Sequence, residues 1–148
     1  MTVTPTELTR AGRGVVADLP LWRLNAMRVG YAVMGVGLAI VKWPLVISYD
    51  SSTPLFEGVV HILLTAMGLL ALLGLRYPVR LIPILLFEAL WKLIWFAVVA
   101  LPAVMAGEVD AAMSEVIFSC SLVVVVLAVA PWRYVWQRYV VATGDPWR

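Results

Sequence analysis

The stretch LIPILLFEALWKLIWFAVVAL, Leu81–Leu101, decides the fold class. A helix needs about 20 mainly apolar residues to cross the hydrocarbon core of a bilayer. This stretch has that length, and its only charged residues are Glu88 and Lys92, four apart. It is too long for a buried strand, and its ends are marked by a basic turn and a proline.

Three further segments read the same way: about 26–47, 55–75 and 113–130, with the quoted one at about 81–101. The polar break Ser48–Pro54, the turn Arg76–Arg80 and the run Pro102–Ala112 separate them. Short connections make sequential helices antiparallel neighbours. The expected fold is therefore an all-α, antiparallel four-helix transmembrane bundle forming a single domain, preceded by a segment 1–25 and followed by an interfacial tail 131–148. Composition agrees. The 148 residues are 63% hydrophobic and 14% charged, against about 45–50% and about 25% in soluble domains. A soluble core of this length cannot hide that much apolar surface.

Charge is distributed unevenly. All nine arginines fall before or at the start of the first span (Arg10, Arg13, Arg23, Arg28), between the second and third (Arg76, Arg80), or after the fourth (Arg133, Arg138, Arg148). The other two connections hold only Asp50, Glu108 and Asp110. Because cytoplasmic loops carry the Lys/Arg excess, both termini are expected in the cytoplasm. Trp22, Trp132, Tyr134, Trp136 and Tyr139 would anchor the cytoplasmic interface, and Trp43 and Tyr49 the opposite one. After Pro131 the tail reads as a short helix lying on the membrane surface.

Glu7 and Asp18, the length of the first apolar run and the lack of a small-residue cleavage site after it argue against a signal peptide. No lipidation motif is present at either end. The single cysteine, Cys120, excludes an intramolecular disulfide and paired-thiol redox chemistry. In the small-residue run Ser119–Ser121 it reads as a packing residue. The arginines follow the membrane face rather than gathering on a reading element, so membrane lipids, not nucleic acid, are their expected partners.

The candidate functional residues are the ionisable ones inside the spans. A charge at mid-membrane costs about 2.5–3.5 kcal/mol, so such groups rarely face lipid. Lys42 continues a stripe with Tyr31, Gly35 and Ala39. Glu57, His61, Thr65 and Gly68 form another, Glu88, Lys92 and Trp95 a third, and Glu115 and Ser119 a fourth. At 1.5 Å per residue Glu88 and Lys92 lie roughly 12 and 18 Å from Arg80, and Lys42 roughly 21 Å from Arg28. Lys42, Glu57, His61, Glu88, Lys92 and Glu115 are therefore expected to converge on the outer half of the bundle.

Two readings follow. In one, Glu88 pairs with Lys92, and Glu57 with Lys42 or His61, which lowers the cost of burial and fixes helix rotation. In the other, the cluster lines a cavity that binds a small headgroup or relays protons, with Glu57, His61 and Glu88 as candidate acid–base residues and Lys92 to stabilise developing negative charge. A lone histidine makes a metal site unexpected. No cofactor is implied by any motif, although a quinone or lipid suits the cavity reading.

The first span with Arg28, Gly35 and Lys42, followed by a second ending GLLALLG (Gly68–Gly74), resembles the DoxX-like group of small bacterial four-helix membrane proteins. The second half, with FEALWK (Phe87–Lys92), PWRYVW (Pro131–Trp136) and GDPWR (Gly144–Arg148), resembles uncharacterised small bacterial membrane proteins. These resemblances imply a bacterial inner membrane. Some DoxX-like proteins are associated with quinone-linked sulfur oxidation or redox partners; by position, Arg28 and Lys42 are what carries over.

Three functional expectations result. The first is an accessory subunit or lipid- or small-ligand-binding module, acting with a membrane-complex partner or as a homodimer. The second is an enzyme working on a quinone, sterol-like or isoprenoid substrate. The third is a small proton-coupled transporter.

Overall fold

A computed structural model describes residues 19–50 and 52–142. The expected N-terminal segment as far as residue 18, with Arg10 and Arg13, and the tail beyond 142, with Arg148, lie outside the described residues. Within them the chain is helical, without strands. Four helices are long and apolar enough to cross a membrane: α1 (Leu21–Ile47), α2 (Leu55–Gly74), α3 (Ile82–Ala106) and α4 (Ala111–Val129). A short α5, residues 132–141, follows Pro131.

Two boundaries differ from the sequence reading. Helix α1 begins at Leu21 rather than near residue 26, directly after Pro20, so Trp22 and Arg23 belong to the helix and stack, with the guanidinium 4.5 Å from the ring centroid. Apolar content marks where hydrocarbon begins, whereas a helix continues into the interface until something stops it.

Helix α3 runs past Leu101 and through Pro102 to Ala106. A proline lacks an N–H, and its ring crowds the carbonyl four residues back. Here that carbonyl belongs to Val98, within a π-helical stretch, Phe96–Ala100. The wider turn accommodates the proline without ending the helix. The helix stops at Gly107, where φ is 73°. Gly107 N donates to Val104 O and Glu108 N to Ala103 O, closing the last carbonyls with the left-handed residue glycine allows.

Small residues bring the helices together. Helix α1 packs most extensively along α2 and also touches α4, while α3 meets α2 and α4. A Cβ on Gly35 would lie 2.8 Å from Leu72 Cδ2, and one on Gly68 would lie 3.1 Å from Leu38 Cβ. Gly74 sits beneath the Tyr31 ring so closely that a Cβ would come within 2.4 Å of Cδ1. On the opposite flank of α1, Gly30 abuts Val129. Close backbone approach of this kind is how helices associate where lipid removes the hydrophobic incentive.

The core comprises Met27, Tyr31, Met34, Ala71, Ile82, Leu85, Ala89, Val123 and Val126, with Val135 of α5 packed against the same cluster. The tail helix therefore closes one end of the bundle. Only 17–28% of each span's apolar window is buried, so most of the aliphatic surface faces outward.

Candidate functional site

The buried polar centre of the molecule is on α3. Glu88 and Lys92 are 2% and 8% exposed, the only buried charged residues among those described. One turn apart, they form an ion pair with Lys92 Nζ 2.7 Å from Glu88 Oε1. The other carboxylate oxygen, Oε2, accepts from Trp91 Nε1 at 2.8 Å. Lys92 Nζ also donates to the Ser119 carbonyl of α4 at 3.4 Å and lies 5.6 Å from the Trp91 ring centroid.

Ser119 is in the last turn of the first segment of α4, Ala111–Ser121, before the helix breaks at Leu122. Carbonyls in a final turn lose intrahelical partners and carry the negative end of the helix dipole. An ammonium from the neighbouring helix suits that position. Cys120, next in sequence, is buried beside this junction.

Burying two charges is expensive, and their attraction offsets the cost only when the remaining donors and acceptors are also satisfied. Here both carboxylate oxygens are engaged, and the ammonium has two oxygen partners and an aromatic face. The network Trp91–Glu88–Lys92–Ser119 is neutral overall and joins α3 to α4.

The other four candidates form no bond to this network. His61 Nε2 lies 3.8 Å from Glu57 Oε1, one turn away on α2. The His61 side chain is 12% exposed and that of Glu57 is 57% exposed. Glu57 occupies the first turn of α2, where the helix dipole favours an acid. Lys42 is half-buried and makes no ion pair with a described residue. Beside it, Trp43 Nε1 is buried and has no acceptor among the described residues. Glu115 is exposed.

The six residues are not joined into one bonded network. Among the described residues, no ion pair or hydrogen bond joins Glu57–His61 to Glu88–Lys92, and none reaches Lys42 or Glu115. Glu57 and Glu115 lie near helix starts, where a carboxylate can turn towards water and needs no counter-ion. Trp95, expected on the Glu88–Lys92 face, packs edge-on against Phe96, with centroids 5.5 Å apart, and makes no hydrogen bond to the pair. Trp91, three residues from Glu88, makes the contact; the signal was its i, i+3 spacing.

Among the described residues, no three His, Cys, Asp or Glu side chains come close enough together to hold a metal ion. Beyond the polar network, an apolar groove of about 410 Å³ runs between α3 and α4, lined by Leu93, Phe96, Ala100, Val104 and Ile117 among others. It follows the π-helical stretch.

The end of the bundle opposite Glu57 is basic. Arg28 Nε donates to Leu75 O at 3.2 Å, and its Nη1 donates to Asn25 Oδ1 at 2.8 Å. The buried Tyr31 hydroxyl donates to Pro78 O at 2.9 Å. The bonds to Leu75 and Pro78 pin the turn between α2 and α3 to α1.

No protein-family model, curated protein or solved structure matches the chain.

Proposed function

We propose that the chain is a non-catalytic protein of a bacterial inner membrane, an antiparallel four-helix bundle with both termini in the cytoplasm. In this reading it serves as an accessory subunit or as a lipid- or small-ligand-binding module. The observation that carries the reading is the saturation of Glu88 and Lys92. A general acid or base must reach a substrate proton and exchange it. The buried carboxylate and ammonium are instead committed to each other, to Trp91 and to Ser119.

The distribution of arginines supports the orientation, since the positive-inside bias counts Lys and Arg in short loops. The outward-facing aliphatic surface supports a lateral role, against lipid or another membrane subunit. Two of the residues behind the DoxX-like resemblance fit the same reading: Arg28 ties α1 to the end of α2, and Gly35 admits Leu72. Both are assembly roles.

One observation favours a lipophilic ligand over a polar one. The groove along α3 has apolar walls, suited to an acyl or isoprenoid chain rather than to acid–base work on a substrate. Enzymatic turnover of a quinone, sterol-like or isoprenoid molecule is therefore the second reading. Proton-coupled transport ranks third, because the core at the arginine end is built from Met27, Ile82, Leu85, Val123 and Val126 and gives protons no path.

Native mass spectrometry of the protein, extracted from its own membrane in mild detergent, tests the proposal. A partner subunit, a second copy or bound lipid, unchanged by Glu57→Gln and His61→Ala, is expected. A stoichiometric small molecule that is chemically converted by the wild type, but not by Glu88→Gln, would replace the proposal with the enzyme reading.

A further inference from the structure

We propose that the turn between α2 and α3 is a discrete binding site for the phosphate of an anionic phospholipid, formed by Arg76 and Arg80 on either side of Tyr77. The inference rests on the reading that the four helices span a bilayer, which puts this turn at headgroup level.

Three observations carry it. First, both guanidiniums gather on one ring: Arg76 Cζ lies 5.6 Å and Arg80 Cζ 5.8 Å from the Tyr77 centroid. Stacking on an aromatic face restrains two otherwise mobile side chains and leaves their N–H edges free to donate. Two like charges held near one ring repel each other, which an added anion would relieve.

Second, no described residue supplies such an anion. Arg76 and Arg80 are exposed and form no ion pair with a described residue. The described arginines at this end are Arg23, Arg28, Arg76, Arg80, Arg133 and Arg138, while every described carboxylate lies elsewhere, in α3 or towards the opposite ends of the helices.

Third, the turn is rigid. Pro78 is buried and its carbonyl accepts from Tyr31, Leu75 O accepts from Arg28, and Gly74 lies against the Tyr31 ring. A fixed backbone carrying stacked guanidiniums meets a phosphate with little ordering left to do. Planar, bidentate donation is what a phosphodiester accepts best. The occupant is a lipid rather than a free anion because exposed apolar flanks lead away from this turn, from Leu73 at the end of α2 and from Phe87 in the second turn of α3, and would receive acyl chains.

The test is native mass spectrometry of the delipidated full chain titrated with phosphatidylglycerol or phosphatidylcholine, together with an alkaline carbonate wash of membranes holding the same protein. Phosphatidylglycerol should bind in a saturable step and phosphatidylcholine should not. Arg76→Gln/Arg80→Gln should weaken binding by more than tenfold, at roughly fivefold per arginine. Tyr77→Leu, which keeps both charges and so preserves topology, should weaken it several-fold, whereas Arg138→Gln should leave it unchanged.

Equal binding of both lipids, an equal loss in Arg138→Gln, or no effect of Tyr77→Leu would each overturn the discrete site. Displacement of the lipid by millimolar inorganic phosphate would assign the site to a free anion instead. Release of the protein by carbonate would overturn the membrane reading itself, whereas a retained protein without lipid selectivity overturns this inference alone.

Discussion

Lys92 reaches across from α3 to the backbone of α4: its ammonium, 2.7 Å from Glu88 Oε1, also donates to the Ser119 carbonyl at 3.4 Å. One side chain thereby neutralises a buried acid on its own helix and engages a helix end on its neighbour. In an interior held mainly by apolar contacts, such a bond fixes the rotation of α3 about its axis. A one-residue shift would move Glu88 and Lys92 by about 100° and carry them towards lipid.

The pair should behave as a unit in a double-mutant cycle. Glu88→Gln leaves the ammonium buried without its counter-charge, and Lys92→Met does the same to the carboxylate. Each should cost about 3–5 kcal/mol. The double variant buries no net charge and should be more stable than either single one, with a coupling energy of about 2–3 kcal/mol. Equilibrium unfolding in detergent micelles would measure this. Additive losses would show that the two residues are held by separate interactions.

Two glycines should respond in opposite directions. A methyl at Gly74 would meet the fully buried Tyr31 ring at 2.4 Å. Gly74→Ala must therefore displace Tyr31 from Pro78 O, at a cost of about 1–3 kcal/mol for overpacking, together with the lost hydrogen bond. Gly37 has nothing within 4 Å of a built Cβ. There Gly37→Ala should stabilise the helix by about 0.5–1 kcal/mol. Comparing the two melting temperatures removes the propensity gain common to both. Equal shifts would mean that α1 and α2 do not pack at Gly74 in solution.

Much of this architecture is legible in the sequence because the bilayer imposes length and polarity together. The four helices follow from apolar runs alone, and Glu88–Lys92 follows from i, i+4 spacing. What the sequence could not display has physical reasons. Pro102 reads as a stop, but a π-helical turn at Phe96–Ala100 carries the helix through it. Glu115 reads as inward-facing because it shares a stripe with Ser119, yet a carboxylate in the second turn of a helix can reach water and is under no pressure to pair. The Ser119 partner is a backbone carbonyl, which every residue has, so no residue type announces it. Only the packing of α3 on α4 selects it.

Orientation can be read from three introduced cysteines in a Cys120→Ala background. Ser52→Cys and Glu108→Cys lie in connections without arginine, and Gln137→Cys lies in α5 between Arg133 and Arg138. A membrane-impermeant maleimide added to intact spheroplasts should label the first two fully and the third only after lysis. Labelling of Gln137→Cys before lysis would invert the proposed topology and place the arginine end outside.

The last prediction separates the two tryptophans of α3. Trp91 donates through Nε1 to Glu88 Oε2 at 2.8 Å and offers its ring to Lys92. Trp91→Phe keeps an aromatic face for the ammonium but removes the donor, leaving one carboxylate oxygen without a hydrogen bond in a buried site. Hydrogen bonds to charged groups contribute about 1.5–3 kcal/mol, so a loss in that range is expected, smaller than that of Lys92→Met. Trp95 contacts Phe96 through its ring edge and makes no bond to the network, so Trp95→Phe should cost less than Trp91→Phe. Unfolding measurements on both variants decide between a network anchored at i, i+3 and one anchored along the i, i+7 stripe. A larger loss at Trp95 would favour the stripe and would mean that Glu88 turns towards the far end of α3 rather than towards Trp91.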